Sequence, residues 1–136
     1  MLRVLIIDDD EDVRQTIAGI LAESGCEISH ACNGSEGMAR IREKPPTSVV
    51  IVDLIMPEME GIETIREIRR IDAKIPIIAM SGGVPMSPVD YLAAALKLGA
   101  DCALRKPFRK AELLDLLKNL PGLRDAGAAS GEAGER

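Results

Sequence analysis

Positive charge, cysteine pairs, histidine, aromatic rings and long apolar runs are all scarce in this chain. Its formal charge of −5 leaves no electrostatic footprint for nucleic acid, and Arg66, Arg69 and Arg70 alternate with Glu63, Glu67 and Asp72 as on a solvated helix face. No stretch approaches the roughly 18 apolar residues of a membrane span, so no membrane partner is expected. The acidic run from Asp8 to Asp12 interrupts the apolar start before it can act as a secretory leader. Three cysteines, Cys26, Cys32 and Cys102, are odd in number and lack metal-ligand spacing; this excludes a disulfide framework and fits a reducing, cytoplasmic setting. On one extended strand Cys26 and Cys32 would stand about 20 Å apart, too far to pair. The single His30 has no second histidine near it in sequence and is expected at the surface. Tyr91 and Phe108 are the only aromatic residues.

What is present is a chain of 136 residues, 46% hydrophobic and 29% charged, which suits one soluble domain with a single core and a tail. Short apolar runs alternate with helical spacing and without internal repeats. Residues 2–7 read as a first strand, and Val13, Ile17, Ile20 and Leu21 as the stripe of a helix ended by Gly25. A second strand over 26–31 leads to Asn33 and Glu36, a capping-box-like start for a helix reaching about residue 43, where Pro45 and Pro46 stop it. Residues 48–52 form the third strand, and Ile62, Ile65 and Ile68 trace the third helix. The fourth strand, 75–80, admits Pro76 only near its start. Ser87 and Pro88 suit the N-cap and first turn of a fourth helix ending at Gly99, and 100–104 forms a short fifth strand. The last helix, 109–119, carries Leu113, Leu116, Leu117 and Leu120 before Pro121 and Gly122. Residues 1–120 make the domain, and 121–136, half of them Gly or Ala, a flexible tail or linker. Five strands alternating with five helices predict an α/β fold, a parallel sheet covered on both faces.

All strands of a parallel sheet point their C-terminal ends at one edge, the usual place for ligand chemistry. Asp8 and Asp9 after the first strand, Asp53 after the third, Ser81 after the fourth and Lys106 after the fifth should converge there. Three carboxylates in one pocket repel each other unless a cation neutralises them, and a few oxygen ligands suit Mg²⁺ that keeps several waters. A metal beside a carboxylate, a hydroxyl and an ammonium forms a site for accepting a phosphoryl group. Asp53, alone at its strand end, is the expected nucleophile. Asp8 and Asp9 would hold metal, and Ser81 and Lys106 would bind the phosphoryl oxygens. An EF-hand reading of Asp8, Asp10 and Asp12 fails, because Val13 stands at the required glycine and Gly19 at the bidentate glutamate.

At these residues the chain resembles the receiver domain of bacterial two-component response regulators. IIDDD matches the family's acidic pair, IVDLIMPEMEG its phosphoacceptor motif, IIAMSGG its Ser/Thr motif and LRKPF its Lys-Pro motif. The resemblance spans about residues 2–120. It implies a flavodoxin-like (βα)5 three-layer sandwich with strand order 2-1-3-4-5, and phosphorylation of Asp53 by a sensor histidine kinase or phosphotransfer protein. It also implies Mg²⁺ bound through Asp9, Asp53 and the backbone carbonyl of Ile55, with Asp8 acting through water, and a cis bond between Lys106 and Pro107. The domain is thus expected to be a switch and no enzyme beyond its own phosphoryl chemistry.

Two departures concern the response. The segment after Ser81, with Gly82, Gly83 and Pro85, is longer than the family pattern, and Ala103 stands where the family usually has a Tyr or Phe. Tyr91 is the one aromatic residue near the fourth helix, which is apolar around most of its circumference. With Leu114 off the main stripe of the last helix, this points to the fourth helix, fifth strand and fifth helix as the surface for an effector protein or a homodimer. Ile55 and Gly83 cannot orient an attacking water, so slow self-dephosphorylation is expected. Two alternatives stay open: a degenerate receiver acting as an unphosphorylated scaffold, and a small phosphatase of the haloacid-dehalogenase type, disfavoured by Asp12 within its first motif and by the lack of a substrate cap.

Overall fold

The computed structural model describes residues 2–56, 61–82 and 91–120. Five strands, β1 (Arg3–Ile7), β2 (Glu27–Ala31), β3 (Val49–Asp53), β4 (Ile77–Ser81) and β5 (Cys102–Arg105), alternate with α1 (Glu11–Ala22), α2 (Gly34–Ile41), α3 (Gly61–Ile71), α4 (Tyr91–Leu98) and α5 (Lys110–Lys118). All strand pairs are parallel, in the order β2-β1-β3-β4-β5. The fold class and strand order expected from sequence are observed.

Side chains alternate across the sheet and feed two aliphatic layers. Leu5, Ile7, Val50, Val52, Ile77 and Ala79 pack with Met38, Ile65, Ile68, Leu92 and Ala95 from α2, α3 and α4. Val4, Ile6, Val49, Ile51, Ile78 and Met80 pack with Ile17, Leu21, Leu113 and Leu117 from α1 and α5. Strands β3 and β4 are buried along their whole length, which explains their continuous apolar runs. Burial of each such Ile or Leu is worth about 1.5–3 kcal/mol. Ile7, Val52 and Met80 therefore anchor, with little freedom, the edge where the polar residues begin.

Local chemistry sets the element ends. Asp10 caps α1, its Oδ1 accepting from Asp12 N at 2.9 Å and Val13 N at 3.4 Å. Cys26 N donates to Leu21 O and Gly25 N to Ala22 O while Gly25 takes φ 82°, the left-handed turn that glycine favours at a helix C-terminus. Asn33 Oδ1 caps Glu36 N, and the Glu36 carboxylate reaches back to Cys32 N, one residue beyond the usual capping-box partner.

All five strands start one or two residues later than the apolar runs suggest, β4 and β5 by two. Asp72 Oδ1 takes the N–H groups of Lys74 and Ile75 at 2.8 and 3.0 Å, holding them in a turn, so β4 begins after Pro76. Ala100 N donates to Ala95 O and closes α4, which delays β5 to Cys102. Asp53 is the last residue of β3, paired with Met80, and no longer the residue after it.

Two placements correct the sequence reading. His30 is half-buried in β2, with Nδ1 buried and unpartnered among the described residues; burial and the charges of Arg14 and Arg40 lower its pKa. Leu114 is not a free apolar residue, because it packs partly against the α1–α5 layer. The N-cap expected at Ser87, the switch residue Gly83, the turn after Met56 and the tail over 121–136 lie outside the described residues.

Candidate functional site

The parallel register brings the chain's isolated polar residues to one edge. Asp8 follows β1 and is fully buried; Asp53 ends β3 with 5% exposure; Ser81 ends β4 and is also buried. Asp9 is exposed. Carboxylate oxygens of Asp8, Asp9 and Asp53 lie within 4.8 Å of one another. Lys106 extends its ammonium between two of them, 3.1 Å from Asp8 Oδ2 and 3.4 Å from Asp53 Oδ1. Its backbone N–H donates to Ser81 O at 2.9 Å, which fixes the start of the β5–α5 connection against the end of β4. The peptide between Lys106 and Pro107 is cis, as expected from sequence.

The charges do not balance. Burial, then the neighbouring Asp8, raises the Asp53 carboxyl from 3.8 to about 6, against the pull of Lys106 and a backbone N–H from Ile55. Burial lowers the Lys106 pKa, but the charges and hydrogen bonds of Asp53 and Asp8 outweigh it and leave a net rise. Lys106 is thus a fixed cation facing three acids. The remaining charge and the all-oxygen donor set fit a hard divalent ion such as Mg²⁺. Asp8, Asp9 and Asp53 are the side chains that would hold it.

The start of α3 lies against the end of β3. Gly61 N donates to Leu54 O at 3.1 Å, and a Cβ on Gly61 would lie 2.1 Å from Asp53 O. Only glycine lets α3 start this close to the Asp53 backbone. Ile55 is 40% exposed. Gly82 meets no such restraint: its Cβ would be 3.9 Å from Lys106 Cβ, an ordinary contact. A groove of about 500 Å³ opens beside the pocket, lined by Val13, Thr16 and Ile20 of α1 with Lys106, Pro107 and Phe108.

Tyr91 and Ala103 are half-buried and pack against the α2–α3–α4 layer, while Pro107 is exposed. On α4, Leu96 and Leu98 are 45% and 39% exposed, in line with the apolar circumference read from sequence. One residue was not singled out by sequence reasoning. Arg14 of α1 donates from Nη1 to Asp8 O at 2.7 Å. The available signal was its position one turn into the helix that follows the acids.

A doubly wound parallel sheet in the order β2-β1-β3-β4-β5, with an acidic pocket and a lysine at the C-terminal edge of its strands, defines the flavodoxin-like class of α/β domain. The comparisons agree and are more specific. The response regulator receiver domain model matches residues 4–118. The chain is 38% identical over 128 residues to the transcriptional regulatory protein PrrA of Mycobacterium leprae, covering 94% of this chain and 53% of that protein. It is 34% identical over 119 residues to the chemotaxis protein CheY of Thermotoga maritima, covering 87% of this chain and 96% of that one. A receiver domain crystal structure from Clostridium thermocellum superposes with a TM-score of 0.83 at 28% identity, covering 95% and 99% of the two chains. The chain belongs to the response regulator receiver domain family of two-component systems. It spans about half the length of PrrA and its first matched relatives, and nearly all of CheY. Among the described residues no helix is long and apolar enough to cross a membrane.

Proposed function

We propose that this domain is a phosphorylation switch in which Asp53 is the acceptor. An Asp53 carboxylate oxygen forms the new O–P bond; the P–N bond to the donor histidine of a sensor kinase or phosphotransfer protein breaks, and its electron pair stays on the imidazole. Bound Mg²⁺ would screen charge on the equatorial oxygens. Asp9, Asp53 and the Ile55 carbonyl, with Asp8 acting through water, would hold that ion. Ser81 and Lys106 donate to the phosphoryl oxygens, so Lys106 exchanges its carboxylate partners for phosphate. The apolar groove between α1 and Phe108 gives the donor protein a path to Lys106.

The convergence of three carboxylates, two of them bonded to Lys106, carries this reading. Output passes through the connection after Gly82 and the α4–β5–α5 face, where Leu96 and Leu98 are exposed. The test is incubation with Mg²⁺ and a small phosphodonor, then intact mass: one phosphoryl adduct is expected on the wild type and none on Asp53→Asn. No adduct on the wild type, or the same adduct on the variant, sinks the reading. A chromogenic phosphate ester is expected to stay intact, which separates a switch from a phosphatase. Ile55 offers water no hydrogen bond, so the adduct is expected to outlast seconds in Mg²⁺. The small Ala103 favours one second reading, an unphosphorylated scaffold, which the same mass measurement tests.

A further inference from the structure

Asp8 is held at every polar atom, and three of its four bonds come from its immediate surroundings. Its N–H donates to Ala31 O at 3.0 Å, Oδ1 accepts from Asp10 N at 2.9 Å and Oδ2 from Lys106 at 3.1 Å. The fourth comes from a side chain the site does not otherwise use: Arg14 Nη1 donates to the Asp8 carbonyl at 2.7 Å. Arg14 Nε is buried without a partner among the described residues. The guanidinium is thus partly desolvated to make this contact, a cost that a merely solvated helix-face arginine avoids.

That carbonyl belongs to the peptide joining Asp8 to Asp9. Fixing its oxygen fixes the plane of the peptide, and with it the direction in which Asp9 leaves the chain. Asp9 is exposed, and no side chain among the described residues bonds to its carboxylate. We infer that Arg14 is a positioning residue for the cation site: it holds the Asp8–Asp9 peptide so that both carboxylates face Asp53 before the ion arrives. The inference rests on the phosphoacceptor reading above and adds a residue to it.

Two effects of Arg14 oppose each other. Its positive charge repels a divalent ion, whereas its hydrogen bond preorganises two of the ligands. Salt separates them, because repulsion across the solvent is screened at high ionic strength and the short bond is not. Outer residues that orient metal ligands typically contribute 10–100-fold to affinity, so positioning is expected to prevail.

Isothermal titration of Mg²⁺ into the wild type, Arg14→Met and Arg14→Lys tests this, at about 0.1 and 0.5 M KCl and near 15 °C, where a weakened variant is most stable. Arg14→Met is expected to lose roughly tenfold in Mg²⁺ affinity, most clearly at high salt, and Arg14→Lys, with a compact ammonium in place of the planar fork, about threefold. A purely structural role would lower the melting temperature of the metal-free protein and leave the Mg²⁺ affinity of the folded variant unchanged. Arg14→Met binding Mg²⁺ as tightly as the wild type, or more tightly, overturns the inference; if that variant does not fold, wild-type affinity in Arg14→Lys overturns it. Wild-type protein that takes up no Mg²⁺ at millimolar concentration removes the phosphoacceptor reading itself, and this inference with it.

Discussion

Replacing Asp53 with Asn is expected to stabilise the metal-free protein at neutral pH, although Asp53 carries the proposed chemistry. Burial and the Asp8 charge raise its carboxyl from 3.8 to about 6. A folded-state pKa above the unfolded one means that the native protein binds the proton more tightly. Ionised Asp53 therefore imposes a cost that is complete above about pH 6 and vanishes below the unfolded value. The difference amounts to at most about 3 kcal/mol. Water at the open edge of the pocket reduces the expected gain to about 1–2 kcal/mol, or about 4–8 °C in Tm for a domain of this size. Lys106 loses one partner in the variant but keeps Asp8 at 3.1 Å. Thermal unfolding by circular dichroism in a chelator, at about pH 7.5 and again at about pH 4.5, reads both the gain and its disappearance. Millimolar Mg²⁺ is expected to narrow the gap at the higher pH by binding the wild-type native state. A variant no more stable than the wild type near pH 7.5, or an advantage that persists undiminished in acid, would refute the reasoning.

Gly61→Ala places a methyl group 2.1 Å from Asp53 O and is expected to cost about 2–3 kcal/mol in urea unfolding; an unchanged midpoint would show that α3 can retreat freely. Cys32 is exposed, whereas burial raises the Cys26 thiol and takes Cys102 up to about 11. A maleimide at neutral pH is accordingly expected to label Cys32 alone in the native protein, and mass spectrometry showing early labelling of Cys102 would contradict this. Arg69 donates to Ile75 O at 2.7 Å, Gly99 O at 3.0 Å and Asp101 Oδ2 at 3.1 Å. Arg69→Ala removes the donor to the Ile75 and Gly99 carbonyls and leaves Asp101 Oδ2 with Ile77 N alone, and a loss of about 2–3 kcal/mol is expected in the same urea assay.

The order of elements was legible because each buried strand in this fold is a short apolar run and each helix carries its stripe at a different period. The site was legible for the same reason: Asp53 and Asp8 break those runs at their C-terminal ends, and a parallel sheet gathers such ends at one edge. Element ends were less legible, since they depend on side chains that capture backbone groups, as Asp72 does at Lys74 and Ile75. His30 and Leu114 looked peripheral because burial by a neighbouring helix leaves no mark on local spacing. Arg14 was hidden by its type: an arginine one turn into an amphipathic helix reads as solvated until its distance to a specific carbonyl is known.

Arg69 lies at the edge of the sheet opposite the acids, and it ties α3 to Gly99 and Asp101, just beyond the C-terminus of α4. Gly99 approaches Arg69 so closely that a Cβ there would lie 2.9 Å from Arg69 Cγ. The other end of α4, at Tyr91, belongs to the edge of the sheet where the strands end and the acids gather. A rod pinned at one end and pushed at the other turns about the pin. Any displacement at Tyr91 would thus reach the exposed Leu96 as a change of tilt, with Gly99 as the fulcrum, and Leu98, closer to it, would move less.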